Sequence, residues 1–330
     1  MRRPPDAPWW YVPLPWLVAF MWLTVVPPLV LVVARATGHL DVQLVFVAST
    51  FAPVVLVPAY AVLGFAVSAR RWVLLAASAM CVVAHVAWTL PEFPHHPDLP
   101  AAAREAPRLT VYTHNVLFQR PSDAGALIDQ ILALDPDVIA LQELTPPDAT
   151  AIAASAIDER WPYSFVMDRD GPWGSGIWSK YPIIGQEHVL VTEGNVPAVR
   201  LRTPAGPVTI ANVHTNAPRD RAARQRWEHE FDLLTRWVQD QPGYVVVVGD
   251  FNATMQHAPF RDLLDTGLRD AHLERGDGWA ATFPADRSFP PVLRIDHVLV
   301  GDDVEVLEVG SGDATGSDHK PVWAVLALTS

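Results

Sequence analysis

The chain of 330 residues contains one cysteine and comparatively few basic side chains. Cys81 has no second thiol to pair with, so no disulfide within the chain can stabilise the fold. Lys and Arg number 24 against 36 Asp and Glu, a net charge of −12, which argues against a broad basic surface for long nucleic acid. No internal repeat at a fixed period is present, so we do not expect a repeat architecture.

Charged residues are also missing from three long apolar stretches near the N-terminus, namely Ala7–Ala34, Val42–Ala69 and Trp72–Pro91. Each is long enough for a membrane helix, which needs about 20 apolar residues. A cleaved signal peptide would explain only the first stretch. We therefore expect three transmembrane helices within residues 13–91, preceded by a short N-terminal segment at residues 1–12.

The basic residues around these stretches predict their orientation. Arg2 and Arg3 precede the first stretch, and Arg70 and Arg71 separate the second from the third. Basic loops stay in the cytoplasm, so everything after Pro91 should lie outside, although Arg35 weakens the argument. The sequence predicts a multi-pass cell-membrane protein with a cytoplasmic N-terminus and an extracellular C-terminal domain. His85, in the third stretch, should hydrogen-bond a neighbouring helix.

Residues 92–107 form a proline-rich segment, which predicts an extended linker, and residues 108–330 form a folded domain. The domain mixes strands and helices without strict alternation, which favours an α+β fold of packed sheets flanked by helices. The predicted strands are 109–114, 138–141, 163–167, 176–179, 183–191, 198–203, 208–213, 245–248, 294–300, 304–309 and 321–328. The predicted helices run from Ser122 to Leu134, and over 147–160, 219–239 and 259–265.

Polar residues follow or flank the apolar strand cores of this domain. They are Asn115, Glu143, His214, Asp250, Asn252, Asp296, Asp318 and His319. Binding sites in sheet proteins gather at strand ends, so these side chains could share one crevice. Carboxylates and amides without cysteine favour Mg²⁺ or Mn²⁺ over zinc. A cation, an oriented water and an Asp–His pair such as Asp296 with His319 would together support attack of water on phosphorus.

Six short motifs containing these residues occur in order along the chain. They are Thr-His-Asn115, Leu-Gln-Glu143, Asn-Val-His214, Gly-Asp250-Phe-Asn252, Arg-Ile-Asp296-His and Ser-Asp318-His319. This series resembles the endonuclease/exonuclease/phosphatase superfamily over residues 108–330. The resemblance implies a DNase-I-like four-layer α/β/β/α sandwich and a metal-dependent phosphatase or phosphodiesterase that uses Mg²⁺ or Mn²⁺.

The resemblance also implies roles for individual residues. The implied metal ligands are Glu143, Asn115 and Asp318. The implied contacts to the substrate phosphate are Asn115, His214, Asn252 and His319. The implied catalytic residues are His214, Asp250, Asn252, Asp296 and His319, with Asp296 orienting His319. Whether Asp250 or His319 is the general base stays open at this point.

The order of three spans and then this domain resembles the membrane-anchored VanJ-type teicoplanin-resistance proteins. That resemblance implies hydrolysis of a lipid-linked substrate, undecaprenyl pyrophosphate, in cell-wall metabolism. A surface nuclease or a sphingomyelinase-like phosphodiesterase is the alternative, and only then would nucleic acid be a partner. A non-catalytic binding module on the same fold is the second alternative.

Two further features have more than one interpretation. The arginines from Arg219 to Arg226 either bind a second phosphate or form a solvated helix face. The apolar residues between Phe283 and Pro290 either contact lipid or pack within the loop. The sequence leaves the oligomeric state open.

Overall fold

The computed structural model describes residues 14–38, 42–93, 96–119, 124–190, 195–276 and 278–329. The chain divides into two compact units, Met1–Pro91 and Glu92–Ser330. The predicted N-terminal segment 1–12 and the predicted helix start at Ser122 lie outside the described residues.

The first unit consists of apolar helices: α1 (Leu14–Ala36), α2 (Gln43–Thr50), α3 (Ala52–Val55), α4 (Pro58–Ser68) and α5 (Trp72–Thr89). Among the described residues, Leu14–Ala36 and Trp72–Glu92, which is α5 with the 3₁₀ turn Leu90–Glu92 after it, are each long and apolar enough to cross a membrane. The middle stretch is not one continuous helix, because Gln43–Thr50 and Ala52–Ser68 meet at 83°. Pro53 and Pro58 lack the N–H groups that a continuous helix needs there. The unit has three candidate spans only if this bent pair is one span.

His85 links α5 to the broken helix, as the sequence predicts. Its Nε2 donates to the Pro53 carbonyl oxygen at 2.9 Å, and its Nδ1 accepts from the Tyr60 hydroxyl at 3.0 Å. The Val57 N–H bonds the Val54 carbonyl instead of continuing the α-helical pattern to Pro53. His85 thus satisfies a carbonyl that the helix break leaves without its usual backbone donor.

The second unit contains two six-stranded sheets. The first has the order β11-β12-β1-β2-β4-β3, and the second has the order β5-β6-β7-β8-β10-β9. The strands are β1 (Arg108–Asn115), β2 (Val138–Gln142), β3 (Tyr163–Met167), β4 (Ser175–Ser179), β5 (Ile183–Leu190), β6 (Asn195–Thr203), β7 (Gly206–His214), β8 (Tyr244–Asp250), β9 (Arg269–Asp270), β10 (Asp296–Val300), β11 (Val304–Ser311) and β12 (Val322–Leu328).

Helices cover the outer faces of both sheets, and the predicted α/β/β/α sandwich is confirmed. Ile131, Ile152 and Trp161 pack with Ile139 and Trp178 of the first sheet. On the second sheet, the Phe260 ring lies 4.4 Å from the ring of His297 in β10. The helices of this unit are α6 (Ala101–Glu105), α7 (Gly125–Leu134), α8 (Pro146–Ala153), α9 (Ala156–Arg160), α10 (Arg221–Gln239), α11 (Ala258–Leu264) and α12 (Ala271–Arg275).

The predicted strands all exist, but three local features differ from the prediction. The helix predicted over residues 147–160 is two helices, because Ser155 interrupts the first and its hydroxyl accepts from the Ile157 N–H at 3.1 Å to cap the second. The segment that we expected to be extended contains α6, whose Ala103 is fully buried. The short elements β9 and α12 were not predicted, since two to five residues carry too little periodicity.

The core lies between the sheets and is built largely from β-branched side chains. Val246 and Val248 of β8 pack in the same cluster as Val111 of β1, Ala140 of β2 and Val298 of β10. Full burial of one such valine is worth about 1.5 to 3 kcal/mol. Because β8 is buried along its whole length, the position of the polar residues at its end is fixed.

One polar side chain, Asn212 of β7, joins the two sheets inside this core. Its Nδ2 donates to the Leu141 carbonyl at 2.9 Å and to the Gly176 carbonyl at 3.1 Å. Its Oδ1 accepts from Gln142 Nε2 at 2.5 Å. The side chain is fully buried, so these bonds satisfy an amide that would otherwise be costly to bury.

We expect Asn212→Asp to destabilise the second unit strongly, because a carboxylate would face two carbonyl oxygens without a proton to donate. Asn212→Leu should lower the free energy of unfolding by about 2 to 3 kcal/mol, since it leaves those carbonyls unsatisfied. Urea unfolding of the full chain in detergent, followed by tryptophan fluorescence, measures both changes. The exposed substitution Arg202→Ala on neighbouring β6 is the control. Equal stability of Asn212→Leu and this control would contradict the bridging role.

Candidate active site

The predicted site residues meet at one edge of the two-sheet sandwich. Strands β1 and β2 are parallel, and Asn115 ends the first while Glu143 follows the second. Strands β7 and β8 are also parallel, and they end at His214 and Asp250. Strand β10 is antiparallel to β8 and starts at Asp296, directly opposite Asp250. The strand order therefore brings together side chains that are far apart in sequence.

Glycine is required immediately before Asp250. Gly249 has a φ of +134°, and a Cβ at this position would lie 2.0 Å from the Val213 carbonyl oxygen. Any side chain would push β8 away from β7, and with it Asp250 away from His214. The valines Val245–Val248 thus keep β8 buried, and Gly249 allows its close approach to β7. Together they fix the position of Asp250 and its distance from His214.

Asn115 connects two carboxylates at this edge. Its Nδ2 donates to Glu143 Oε1 at 3.1 Å and to Asp250 Oδ2 at 3.0 Å. Its Oδ1 accepts from the Leu117 N–H at 3.0 Å, which fixes the orientation of the amide. In this structure Asn115 positions both acids, and its oxygen retains a second lone pair for a cation.

Glu143 is held in place at the corner after β2. Its φ is +55°, and the Leu144 N–H donates to the Gly174 carbonyl at 3.0 Å. The Phe118 N–H donates to Glu143 Oε2 at 3.0 Å. These bonds direct the carboxylate toward the strand ends, where His214 Nε2 lies 3.7 Å from Glu143 Oε1.

Asp250 lies at the centre of the group and is almost completely buried. It accepts from the Asn252 N–H at 2.8 Å and from Asn252 Nδ2 at 3.3 Å. His214 Nε2 and His319 Nε2 each lie 3.8 Å from Asp250 Oδ2. Burial raises the pKa of Asp250, and the charge of Asp296 adds to that increase, while the two imidazoles oppose it.

His319 forms a buried pair with Asp296. His319 Nδ1 lies 2.9 Å from Asp296 Oδ2, and the ring packs against Phe283 with centroids 4.9 Å apart. Burial alone would lower the pKa of His319, but the charges of Asp296 and Asp250 outweigh it and raise the pKa to about 10. At neutral pH His319 is therefore an imidazolium whose Nε2–H points toward Asp250.

The acidic groups of the edge fit a hard divalent cation. Burial raises the pKa of Asp318, and the charge of Glu143 adds to that increase. Asp318 Oδ1 has no hydrogen-bond partner within the described part of the chain and lies 3.9 Å from His319 Nε2. The carboxylates of Glu143 and Asp318 interact electrostatically, and with the Asn115 amide oxygen they would offer only oxygen ligands, which suit Mg²⁺ or Mn²⁺.

A second group with metal-ligand spacing consists of Asp250, Asp296 and His319, whose ligand atoms lie within 4.8 Å of one another. The Asp296–His319 hydrogen bond accounts for much of that closeness, and a protonated imidazole is a poor ligand. Binding of a cation by Glu143, Asn115 and Asp318 stays a prediction.

The sequence did not predict several contacts that support the site. Trp173 packs against His214 with ring centroids 5.9 Å apart, and Phe283 packs against His319. The Ser317 hydroxyl donates to the Asn115 carbonyl at 2.6 Å and accepts from the His319 N–H at 3.0 Å, so it joins two motifs. The Ser-Asp-His motif contains Ser317. Its hydrogen bond to Asn115, however, is a tertiary contact that the motif does not reveal.

The arginines between Arg219 and Arg226 differ in their exposure to solvent. Arg224 is buried and lies 3.5 Å from Glu228 Oε1 through its Nε, whereas Arg219 and Arg221 are exposed. Binding of a second phosphate by this cluster stays a prediction.

The two-sheet sandwich and its edge of carboxylates, amides and imidazoles define the class of this domain as a metal-dependent phosphoesterase fold. Residues 112–319 match the Endonuclease/Exonuclease/phosphatase family, and the chain belongs to that family. No curated protein matches the chain.

Solved structures of this family share the fold. An endonuclease/exonuclease/phosphatase from Beutenbergia cavernae is 17% identical to this chain. The aligned region covers 68% of this chain and 72% of the other, with a TM-score of 0.52. D. rerio TDP2 complexed with single strand DNA product is 17% identical, with coverages of 66% and 98% and a TM-score of 0.57. The 3′ phosphatase NExo from Neisseria, bound to product DNA hairpin, is 20% identical, with coverages of 66% and 98% and a TM-score of 0.52.

We expect the His319 imidazole of the metal-free protein to stay protonated from pH 6 to pH 8, because its pKa is raised to about 10. Asp296→Asn removes the principal charge that opposes burial, so the pKa of His319 should fall by several units. Nitrogen-15 NMR titration of selectively labelled histidine in the presence of chelator measures both values. The stability that this protonation contributes is fully present below the unfolded pKa of about 6.5 and is lost as pH rises through about 10. A neutral His319 at pH 7 in the unsubstituted protein would contradict this assignment.

Proposed function

We propose that this protein is a membrane-anchored, divalent-metal-dependent phosphoesterase with an extracytoplasmic active site, and that it hydrolyses a lipid-linked pyrophosphate such as undecaprenyl pyrophosphate. The observation that carries the catalytic part is the arrangement of Asp250 between two imidazoles, beside the acidic pair Glu143 and Asp318. A buried acid, a charged imidazole and a cation site within one edge match the requirements for attack of water on phosphorus.

The cation would be held by Glu143 and Asp318, with the Asn115 oxygen as a further ligand. When bound, it supplies positive charge to the phosphoryl oxygens and lowers the pKa of water. Asn115 Nδ2 would keep Glu143 and Asp250 at a fixed separation, since it donates to both. The site would therefore be preorganised before substrate arrives.

Asp250 is the better general base of the two residues that the sequence left open. Burial raises its pKa, and a carboxylate with a raised pKa is a stronger base. His319 already carries its proton at pH 7, so it would donate a hydrogen bond to a phosphoryl oxygen or protonate the leaving group. Asp296 would hold that imidazolium in place through Nδ1.

His214 and Asn252 complete the binding of the phosphoryl group. His214 Nε2 faces both Glu143 and Asp250, so it lies where a phosphate oxygen would approach the two acids. The Asn252 amide donates to the Thr215 carbonyl at 3.0 Å, which holds it beside Asp250. Both side chains would orient the phosphoryl group for in-line attack.

The membrane-substrate part of the proposal is supported by the apolar first unit and by the acidic net charge. Two helices, or three if the bent pair counts as one span, are long and apolar enough to cross a membrane, which would concentrate the enzyme at lipid substrates. A net charge of −12 disfavours long DNA. The layout that resembles VanJ-type proteins adds support for a role in cell-wall metabolism and glycopeptide resistance.

A substrate panel tests the reaction. We expect purified full-length protein with Mg²⁺ to release phosphate from undecaprenyl pyrophosphate, and to leave duplex DNA and sphingomyelin intact. Glu143→Gln and His319→Ala should each reduce that rate by at least about a hundredfold, because the first weakens binding of the cation and the second removes the charged imidazole that stabilises the transition state. Nicking of DNA without release from the lipid would support the nuclease alternative. Absence of turnover on every substrate would favour a binding module.

Reporter fusions test the topology. Alkaline phosphatase fused after Ser330 should be active, because it folds only outside the cytoplasm, while green fluorescent protein at the same position should stay dark. Fusion of the same pair after Arg71 should give the reverse pattern, since Arg70 and Arg71 are predicted to be cytoplasmic. Fluorescence from the C-terminal fusion would exclude an external active site.

A further inference from the structure

The loop between β3 and β4, residues 168–174 and here called the hairpin loop, is bonded to the backbone directly after Glu143. The Leu144 N–H donates to the Gly174 carbonyl at 3.0 Å, and the Leu144 carbonyl accepts from the Arg169 N–H at 3.2 Å. A Cβ on Gly174 would lie 1.8 Å from the Leu144 carbonyl oxygen, so only glycine allows this close approach. The loop is therefore fixed against the corner that carries Glu143.

One side chain of the hairpin loop packs on the catalytic edge. Trp173 contacts His214 with ring centroids 5.9 Å apart and an angle of 37° between the ring planes. His214 Nε2 lies 3.7 Å from Glu143 Oε1 and 3.8 Å from Asp250 Oδ2. The indole is therefore only one side chain away from the place where we propose that the phosphoryl group binds.

The hairpin loop also borders a cavity of about 180 Å³, which is lined by Met167, Asp168, Arg169 and Trp173. Trp173 thus faces this cavity as well as His214, so the cavity adjoins the catalytic edge. Its volume exceeds what one water molecule needs by about tenfold, so it has space for a phosphate group.

Two donors that line the cavity have no acceptor inside the protein. Within the described part of the chain, neither the Arg169 guanidinium nor the Trp173 Nε1–H has a hydrogen-bond or ion-pair partner. Arg169 is exposed and Trp173 is half-buried. A guanidinium and an indole N–H without acceptors suit an anion with several oxygens, such as a phosphate. The Asp168 carboxylate opposes an anion there, but it is exposed, so solvent screens its charge.

A pyrophosphate brings a second anionic group to an edge that is already rich in carboxylates. His319 and the cation would be engaged with the phosphoryl group that is attacked, so the leaving phosphate needs a separate positive charge. Arg294, two residues before Asp296, does not supply it, because it is buried and paired with Asp270. Arg169 is available, and the cavity that it lines adjoins the phosphoryl position.

We propose that Arg169 and Trp173 form a leaving-group subsite, which binds the second phosphate of a diphosphate ester and thereby selects diphosphates over monophosphates. This inference rests on the proposed function. The water oxygen bonds to the terminal phosphorus and gives one proton to Asp250, while the bridging P–O bond breaks. The bridging oxygen keeps the electron pair and leaves as part of the prenyl phosphate, whose added negative charge Arg169 stabilises.

Turnover of two water-soluble substrates tests this selection. Full-length protein in detergent with Mg²⁺ is assayed on geranyl pyrophosphate and on geranyl monophosphate, and the ratio of the two kcat/KM values is measured. Arg169→Gln should lower that ratio by about tenfold, because a charge-assisted bond to the second phosphate is lost. Trp173→Phe keeps a ring against His214 but lacks the indole N–H, so it should lower the ratio by about threefold. An unchanged ratio in Arg169→Gln would overturn the proposal.

Two further substitutions are the controls. Asp168→Asn removes an anion from the same cavity, so it should raise the ratio, in the opposite direction to Arg169→Gln. A fall in Asp168→Asn would show that disturbance of the loop rather than charge controls selection. Arg221→Gln makes the same change of charge in the exposed arginine cluster, which is the competing position for a second phosphate, and should leave the ratio unchanged. A fall in Arg221→Gln without one in Arg169→Gln would place the second phosphate at that cluster and overturn the proposal.

Binding without turnover separates the subsite from the proposed reaction. Full-length protein at saturating Mg²⁺ is titrated in a calorimeter with methylenediphosphonate, which water does not cleave, and with methylphosphonate, which has one phosphonate group. The diphosphonate should bind at least about tenfold more tightly, and Arg169→Gln should remove most of that difference. Retention of the full difference in Arg169→Gln would overturn the subsite. If unsubstituted protein hydrolyses neither geranyl substrate, the proposed function fails, while the titration still decides whether the subsite exists.

Discussion

The structure depends on the crowding of negative charge at one edge of two packed sheets. Asp250 and Asp296 face each other across neighbouring antiparallel strands, and both are nearly fully buried. Such a pair is tolerated only with compensating positive charge or donors. His319 supplies the charge, Asn115 and Asn252 supply donors, and the remaining acids, Glu143 and Asp318, fit a cation. The same electrostatic problem thus accounts for the raised pKa of Asp250 and for the charged imidazole beside it.

The rigid part of the domain keeps these groups in place. The buried valines of β8 fix that strand between β7 and β10, and Gly249 allows the closest approach to β7. Asn212 bridges the two sheets through the carbonyls of Leu141 and Gly176. Positions at strand ends inherit the precision of the strands, which is why a site assembled from several strand ends is preorganised.

Much of the fold was predictable, because strand cores such as 245–248 and the apolar stripe of the long helix α10 have clear periodicity. Pro53 and Pro58 bend the middle apolar stretch by 83°, an angle that its composition alone does not give. Two other predictions failed where a local event overrode the pattern. Ser155 started a new helix inside a region of helical composition. The segment 92–107, which we expected to be an extended linker, contains the short helix α6, whose Ala103 is buried.

The sequence by itself determined which residue types were available: oxygen ligands and imidazoles after apolar strands, a single cysteine, and apolar stretches near the N-terminus. It could also place each polar residue at the end of its own strand. Only the tertiary structure decided that Ser317 would join Asn115 to His319, and that Glu92 would reach Arg294. It also gave His319 its charge, because the pKa of a buried imidazole depends on carboxylates that come close only when the sheets pack.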